Sequence, residues 1–292
     1  MNIQMFNGWY FLFLFLSIGG LVGLYFLLKN KSQKTIKIVL FSILVFAIVL
    51  HFMKGLFPPY SLYPEMNMRD SWFINICGAN LALFPFMFLS KNKHVKDYMF
   101  YLGVFSGLIA IFYPMEPMLK ANQAAEWIDV LRFYVHHNII WYVPLLMVLL
   151  KVHTISYKRV WSIPCILLVV MLFIMLNQVL QSELGFIPLR GENIHEINYL
   201  NNSLIWGPDG NISKAIEWAC PSFFKTIPAG PHAGETKYWP WFWLIFPAFI
   251  ILTPLCFLVS LIFDFKNLKQ DIVTLKEKIQ SKHKEKQPEE NQ

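Results

Sequence analysis

The sequence predicts an all-α, polytopic membrane protein of seven transmembrane helices, amino terminus outside and carboxyl terminus cytoplasmic. Three observations carry this. Of 292 residues, 56% are hydrophobic and only 15% charged, whereas a soluble domain carries about 25% charged residues. Seven apolar stretches are each long enough to cross a hydrocarbon core about 30 Å thick, which takes roughly 20 helical residues. Basic residues alternate from loop to loop, as the positive-inside rule requires. A soluble enzyme, a disordered tail and a disulfide scaffold are excluded. The four cysteines show no metal-ligand or framework spacing. The net charge of +7 does not signal nucleic acid, because its lysines flank the apolar spans.

The spans are expected near 6–28, 37–57, 71–90, 97–115, 127–150, 160–181 and 238–263. The first is longer than the apolar core of a signal peptide and lacks its basic flank and cleavage site, so it reads as a retained helix. Prolines inside later spans (Pro85, Pro144, Pro164, Pro247, Pro254) are tolerated in membrane helices. The loops after spans one, three and five hold ten basic residues: Lys29, Lys31, Lys34, Lys37, Lys91, Lys93, Lys96, Lys151, Lys158 and Arg159. The other short loops hold three: Lys54, Arg69 and Lys120.

Two segments differ from this pattern. Residues 182–237 form a long external loop rich in Gly, Pro and Asn but also in aromatics; such loops act as lids more often than as connectors. A cap on the outer face is expected. The chain thus divides into a membrane domain, 1–263, and a basic cytoplasmic tail, 264–292. Apolar residues at 265, 268, 272, 275 and 279 make the tail amphipathic, in a pattern of only about two heptads.

Polar residues within spans are costly, so they face a bundle interior and mark function. His51 lies near the outer end of span two. Span three carries Asn75, Cys77 and Asn80, with Asp70 about two turns above Cys77 on one face. Span five has Arg132, His136, His137 and Asn138 in its outer half, and span six adds Asn177 and Gln178. All fall at similar depth, and the inner halves of these helices are nearly free of polar groups. One outward-opening site follows. Asp129, Arg132 and His136 share a stripe at steps of three and four, whereas His137 is rotated from His136 by about 100°. A thiol becomes a nucleophile when a base takes its proton, and in a membrane the natural carbonyl to attack is a lipid ester. No i, i+4 histidine pair exists and no buried carboxylate accompanies the histidines, so no metal and no cofactor are expected.

The stretches FINICGANLALFPF and FYVHHNIIWYVPLL, followed by EINYLNN and YWPWFWLIF, resemble the YwaF family of bacterial integral membrane proteins. That family is similar to eukaryotic polytopic proteins regarded as cysteine-dependent phospholipid acyltransferases. The resemblance covers roughly 40–260. It implies that Cys77 is the nucleophile and that the histidine seven residues before Pro144, His137, is its base. Asn198 and Tyr199 match the polar pair after span six. The family pattern more often has a histidine where Asn75 stands, and asparagine accepts no proton at neutral pH. His51, Asn75, Asn80, Arg132, His136, Asn138, Asn198 and Tyr199 are then substrate-binding or supporting residues.

The function expected on these grounds is an acyltransferase. It moves an acyl chain from a membrane phospholipid, through a cysteine thioester, to a lysophospholipid or lipoprotein acceptor at the outer leaflet. The alternative is a transporter or a lipid- or ligand-binding sensor in which Cys77 only packs. Twenty-one lysines against four arginines fit an AT-rich genome and a bacterial cell membrane.

The orientation has a direct test. A cysteine introduced at Lys34 or Lys93 is expected to react with an impermeant maleimide only after permeabilisation, and one at Asp209 in intact cells. Labelling of Lys34→Cys from outside overturns it.

Overall fold

The computed structural model describes residues 3–58, 60–62, 72–120, 127–185 and 203–285, and among them every regular element is helical. The long helices are α1 (Gly8–Leu28), α2 (Gln33–Met53), α3 (Ile76–Leu89), α4 (Lys93–Phe112), α6 (Trp127–Leu149) and α7 (Ser162–Glu183). Two short helices, α5 (Met115–Lys120) and α8 (Gly210–Ile216), lie in connections, and α9 (Thr253–Glu285) closes the chain. The seven expected apolar segments all contain helix, and polar caps set several starts. Asn7 caps α1, Ser32 caps α2 and Asn92 caps α4, each side chain accepting from an amide two or three residues on.

Among the described residues, five helices are long and apolar enough to cross a membrane: Gly8–Leu28, Gln33–Leu56, Lys93–Met118, Ser162–Glu183 and Phe242–Lys282. The other two expected spans fall short for different reasons. Helix α3 has only 14 residues because Asn75, in extended conformation, starts it late. Cys77 therefore lies in the first turn of a helix and not six residues down a span beginning at 71. Asp70, expected on one stripe with Cys77, lies outside the described residues. Helix α6 is long enough at 23 residues, but Asp129, Arg132, His136, His137 and Asn138 dilute its apolar character.

The last helix also departs from expectation. Its apolar part opens with a 3₁₀ turn (Phe242–Leu244), a short α turn (Ile245–Pro247) and a π-helical segment (Ala248–Leu252), where proline and crowding break the regular ladder. From Thr253 it then runs unbroken to Glu285, so residue 263 marks a change of composition and not a break in the helix.

The most extensive helix pairing joins α4 and α6. Gly103 and Gly107 lie four apart on α4 and face α6 directly. A Cβ on Gly103 would sit 2.6 Å from the Ile140 carbonyl oxygen, and one on Gly107 2.7 Å from Trp141 Cβ and 3.0 Å from the His137 carbonyl oxygen. Only glycine permits this approach, the small-xxx-small packing by which membrane helices associate without a hydrophobic driving force. Helix α1 leans on the same pair: Phe13 stacks on Tyr134 at 4.1 Å, and Tyr142 Oη donates to the Ser17 carbonyl.

At the end of α6 remote from the histidines, Asp97 is fully buried and satisfied. It accepts from Arg159 Nε at 2.6 Å and Nη2 at 3.1 Å, and pairs with His153 Nε2 at 2.6 Å. A carboxylate out of water needs such pairing. Within the long loop, residues 203–237 fold onto the bundle. Trp206 Nε1 donates to Gln178 Oε1 at 2.7 Å, Trp243 Nε1 to the Leu204 carbonyl at 2.7 Å, and the Ile76 amide to Ser203 Oγ at 2.9 Å.

Gly103→Ala in α4 is expected to destabilise by about 1–3 kcal/mol, as overpacking does, and to lower the melting temperature in detergent. Gly23→Ala in α1 meets nothing within 4 Å and is expected to be neutral or slightly stabilising, since alanine is the better helix former. Equal melting temperatures for the two variants contradict the close α4–α6 packing.

Candidate functional site

The site is assembled where the start of α3 meets the His51 end of α2 and the polar half of α6. Asn75 caps α3, its Oδ1 accepting from the Gly78 amide at 2.8 Å, so the residue standing in the motif's histidine position organises the helix start. Cys77 is half-buried in that first turn. Its thiol is free, at the end of a helix where the peptide dipoles present partial positive charge.

His51, near the end of α2, is the histidine that packs on this turn. A side-chain carbon placed on Gly78 would be 4.0 Å from His51 Cε1. The His51 ring is buried, stacked on Phe73 at 5.9 Å and 6.0 Å from the His136 ring. His136 continues the chain of contacts along the expected α6 stripe. Arg132 Nη1 lies 3.0 Å from His136 Nδ1, and Arg132 Nε donates to Asp129 Oδ1 at 2.6 Å. Because the guanidinium can only donate, His136 Nδ1 is the acceptor and its proton resides on Nε2. That Nε2 is buried and has no hydrogen-bond partner among the described residues. Buried polar atoms are nearly always paired, which marks His136 as a group with an interaction still to make.

His137 points elsewhere, as helical rotation requires. Its ring lies 4.0 Å from that of Phe133, and its Nδ1 is 2.9 Å from the Phe133 carbonyl. A carbonyl only accepts, so Nδ1 carries the proton and Nε2 is the basic atom. No hydrogen bond joins Cys77 to His136 or His137 among the described residues. Glu116 lies on α5, which packs against α6.

The remaining expected residues hold the scaffold. Asn80, fully buried, accepts from Tyr98 Oη at 2.9 Å. Asn138 Oδ1 accepts from Trp141 Nε1 at 3.2 Å within α6. Gln178 donates to the Ile74 carbonyl at 3.0 Å and fixes the strand of chain leading into α3. Asn198 and Tyr199 lie outside the described residues. Two participants were not singled out from the sequence. Glu116 stands in the break between α4 and α6. Lys54 is buried and three residues beyond His51, its ammonium 5.0 Å from the Tyr60 ring, which Arg132 also approaches at 5.7 Å. The i, i+3 step from His51 was a readable sign of Lys54; Glu116 had none, because only the fold packs the short α5 against α6.

A model of the TMEM164 family matches residues 4–260. No curated protein and no solved structure matches the chain. The family match supports membrane-protein character, while the YwaF resemblance and its likeness to acyltransferases rest on the short motifs. Because the match runs from before α1 into α9 and takes in Cys77, His51, Glu116 and the whole α6 stripe, the chain belongs to the TMEM164 family.

Proposed function

We propose that this protein is a membrane acyltransferase that works through a Cys77 thioester. The observation that carries the reading is the position of Cys77. It occupies the first turn of α3, capped by Asn75, with His51 packed on that turn and in ring contact with His136 of the α6 stripe. The reading takes α3 and α6 as spans beside the five long apolar helices. It places the amino terminus outside, the cluster under the outer surface, and the protein in a bacterial cell membrane.

A thiol in apolar surroundings stays protonated until a base takes its proton. In the proposed reaction His137 Nε2 takes it as the sulfur attacks the ester carbonyl of a phospholipid. The carbon–oxygen bond breaks, and the departing lysophospholipid oxygen receives that proton from the imidazolium. The acyl group remains on sulfur. An acceptor hydroxyl or amine, on a lysophospholipid or a lipoprotein amino terminus, then attacks the thioester. It gives its proton to His137, the carbon–sulfur bond breaks, and the proton returns to the thiolate. The carbonyl oxygen gathers negative charge in both steps, at the helix start where partial positive charge stabilises it. Arg132 and the unpaired Nε2–H of His136 suit an anionic headgroup, where charge-assisted donors gain most.

Intact-protein mass spectrometry after incubation with phospholipid is expected to show an acyl adduct that Cys77→Ala removes. Cys77→Ala and His137→Ala should each abolish transfer, with the double variant little worse than either, since residues acting as a unit are not additive. His137→Gln should remove turnover and leave lipid binding intact, because glutamine bonds but shuttles no proton. His136→Gln should mainly raise KM. Near wild-type turnover in Cys77→Ala would exclude the thioester and favour a binding or transport role. An exchange of the two histidine phenotypes would make His136 the base.

A further inference from the structure

The chemistry above explains the polar side of α3 but leaves its other side, where the largest apolar component of any lipid substrate must go. A cavity of about 320 Å³ opens there, walled by Ile76 of α3, Leu102 of α4, Leu168 and Met171 of α7, and Ala248 and Leu252 of the π-helical segment. Ile76 is the residue next to Cys77. Among the described residues no charged side chain lines the cavity, and the one polar side chain there, Ser203, sits where the amide of Ile76 donates to its hydroxyl at 2.9 Å. One end therefore adjoins the first turn of α3.

The lining also takes in Leu255, which is 43% exposed, whereas Leu102, Leu168, Met171, Leu244 and Ala248 are each less than 10% exposed. Leu255 thus carries the lining out to an exposed apolar surface, of the kind that hydrocarbon chains contact in a membrane. Apolar cavities stay dry and take apolar guests, so the occupant this shape selects is a hydrocarbon chain entering sideways. At about 30 Å³ for each small group, the volume of one water, the space holds on the order of ten carbons. The wall itself is irregular for a reason. A π-helical segment widens the helix at Ala248–Leu252, a feature found frequently at functional sites, and Trp241, in a left-handed conformation (φ 67°), ties the approach to this segment to α7 by donating to the Leu168 carbonyl at 2.8 Å.

We propose that this cavity is the acyl-chain slot of the site, holding the hydrocarbon chain of the phospholipid whose ester carbonyl lies at Cys77, with Ala248, Leu252 and Met171 setting how much chain it accepts. The substrate class follows from the acyl-transfer reading; the slot follows from the cavity.

The test uses the full-length protein reconstituted with a phosphatidylcholine that carries a diazirine near the end of one acyl chain. After illumination, cross-linked peptides are expected to map to 167–171 and 248–255, in wild type and equally in Cys77→Ala, where no thioester forms. Ala248→Phe fills the slot and should reduce those cross-links at least fivefold. Met171→Phe fills it from the opposite wall and serves the same purpose if the first variant does not fold. Leu252→Ala enlarges it and should shift the preferred chain upward in competition between short and long phosphatidylcholines. Cross-links spread over the exposed faces of α1 and α2, or cavity cross-links unchanged by both filling variants, overturn the slot. The thioester is read separately in the same samples. Cavity labelling that the filling variants abolish, with Cys77 never acylated, supports the slot and removes the acyl-transfer reading. An acylated Cys77 with no labelling at 167–171 or 248–255 keeps that reading and removes the slot.

Discussion

The close approach of α4 and α6 is the constraint on which the rest of the arrangement depends. In a bilayer, burying apolar side chains against one another gains little over leaving them in lipid, so helices associate through tight packing and polar contacts. Gly103 and Gly107 present bare backbone to α6, and the carbonyls of Ile140 and His137 settle onto them. That contact fixes the rotation of α6 about its own axis. With the Ile140 and Trp141 face against α4, the Asp129–Arg132–His136 stripe turns toward α2, where His51 meets it. His137, one position on, keeps its side chain against Phe133 in the same helix while its backbone rests on Gly107.

The two buried polar clusters differ in a way that separates architecture from chemistry. Around Asp97, both carboxylate oxygens are taken by Arg159 and His153, and the group is closed. A fully satisfied network stiffens the fold it sits in. The cluster around His136 is left open. Arg132 is held between Asp129 and His136, yet among the described residues His136 Nε2 is unpaired, as is Nδ2 of Asn177 on α7. Unpaired donors in a buried position are costly unless something else completes them. The same level of the bundle holds the start of α3 with Cys77, and the apolar cavity adjoins it through Ile76. An amphiphile, with a polar head among donors and a chain among Leu, Met and Ala, is the kind of molecule that meets both surfaces at once.

Most of the helices were legible because a bilayer imposes length and apolarity together, and α1, α2, α4 and α7 lie within a few residues of their expected bounds. The exceptions are equally physical. Asn75 and Pro247 are local breakers whose effect depends on neighbours: Asn75 starts a helix only because its side chain reaches the Gly78 amide, and Ser203 is brought to the Ile76 amide from 127 residues away. The glycine pair 103/107 was visible as a G-x-x-x-G spacing, although periodicity alone does not say which helix it receives.

Sequence alone determined that this chain is a membrane protein and where most of its apolar helices fall, because both follow from local composition and the cost of polarity in lipid. The α6 stripe was equally local, since steps of three and four fix a face wherever the helix goes. Tertiary structure decided the rest. It placed His51 on the turn that carries Cys77. It turned Asn80 and Asn138 to scaffold bonds with Tyr98 and Trp141, and opened a cavity between α3, α7 and the π-helical segment. These depend on how helices far apart in sequence rotate and cross, which is set by packing at a few small residues and not by the pattern of any one segment.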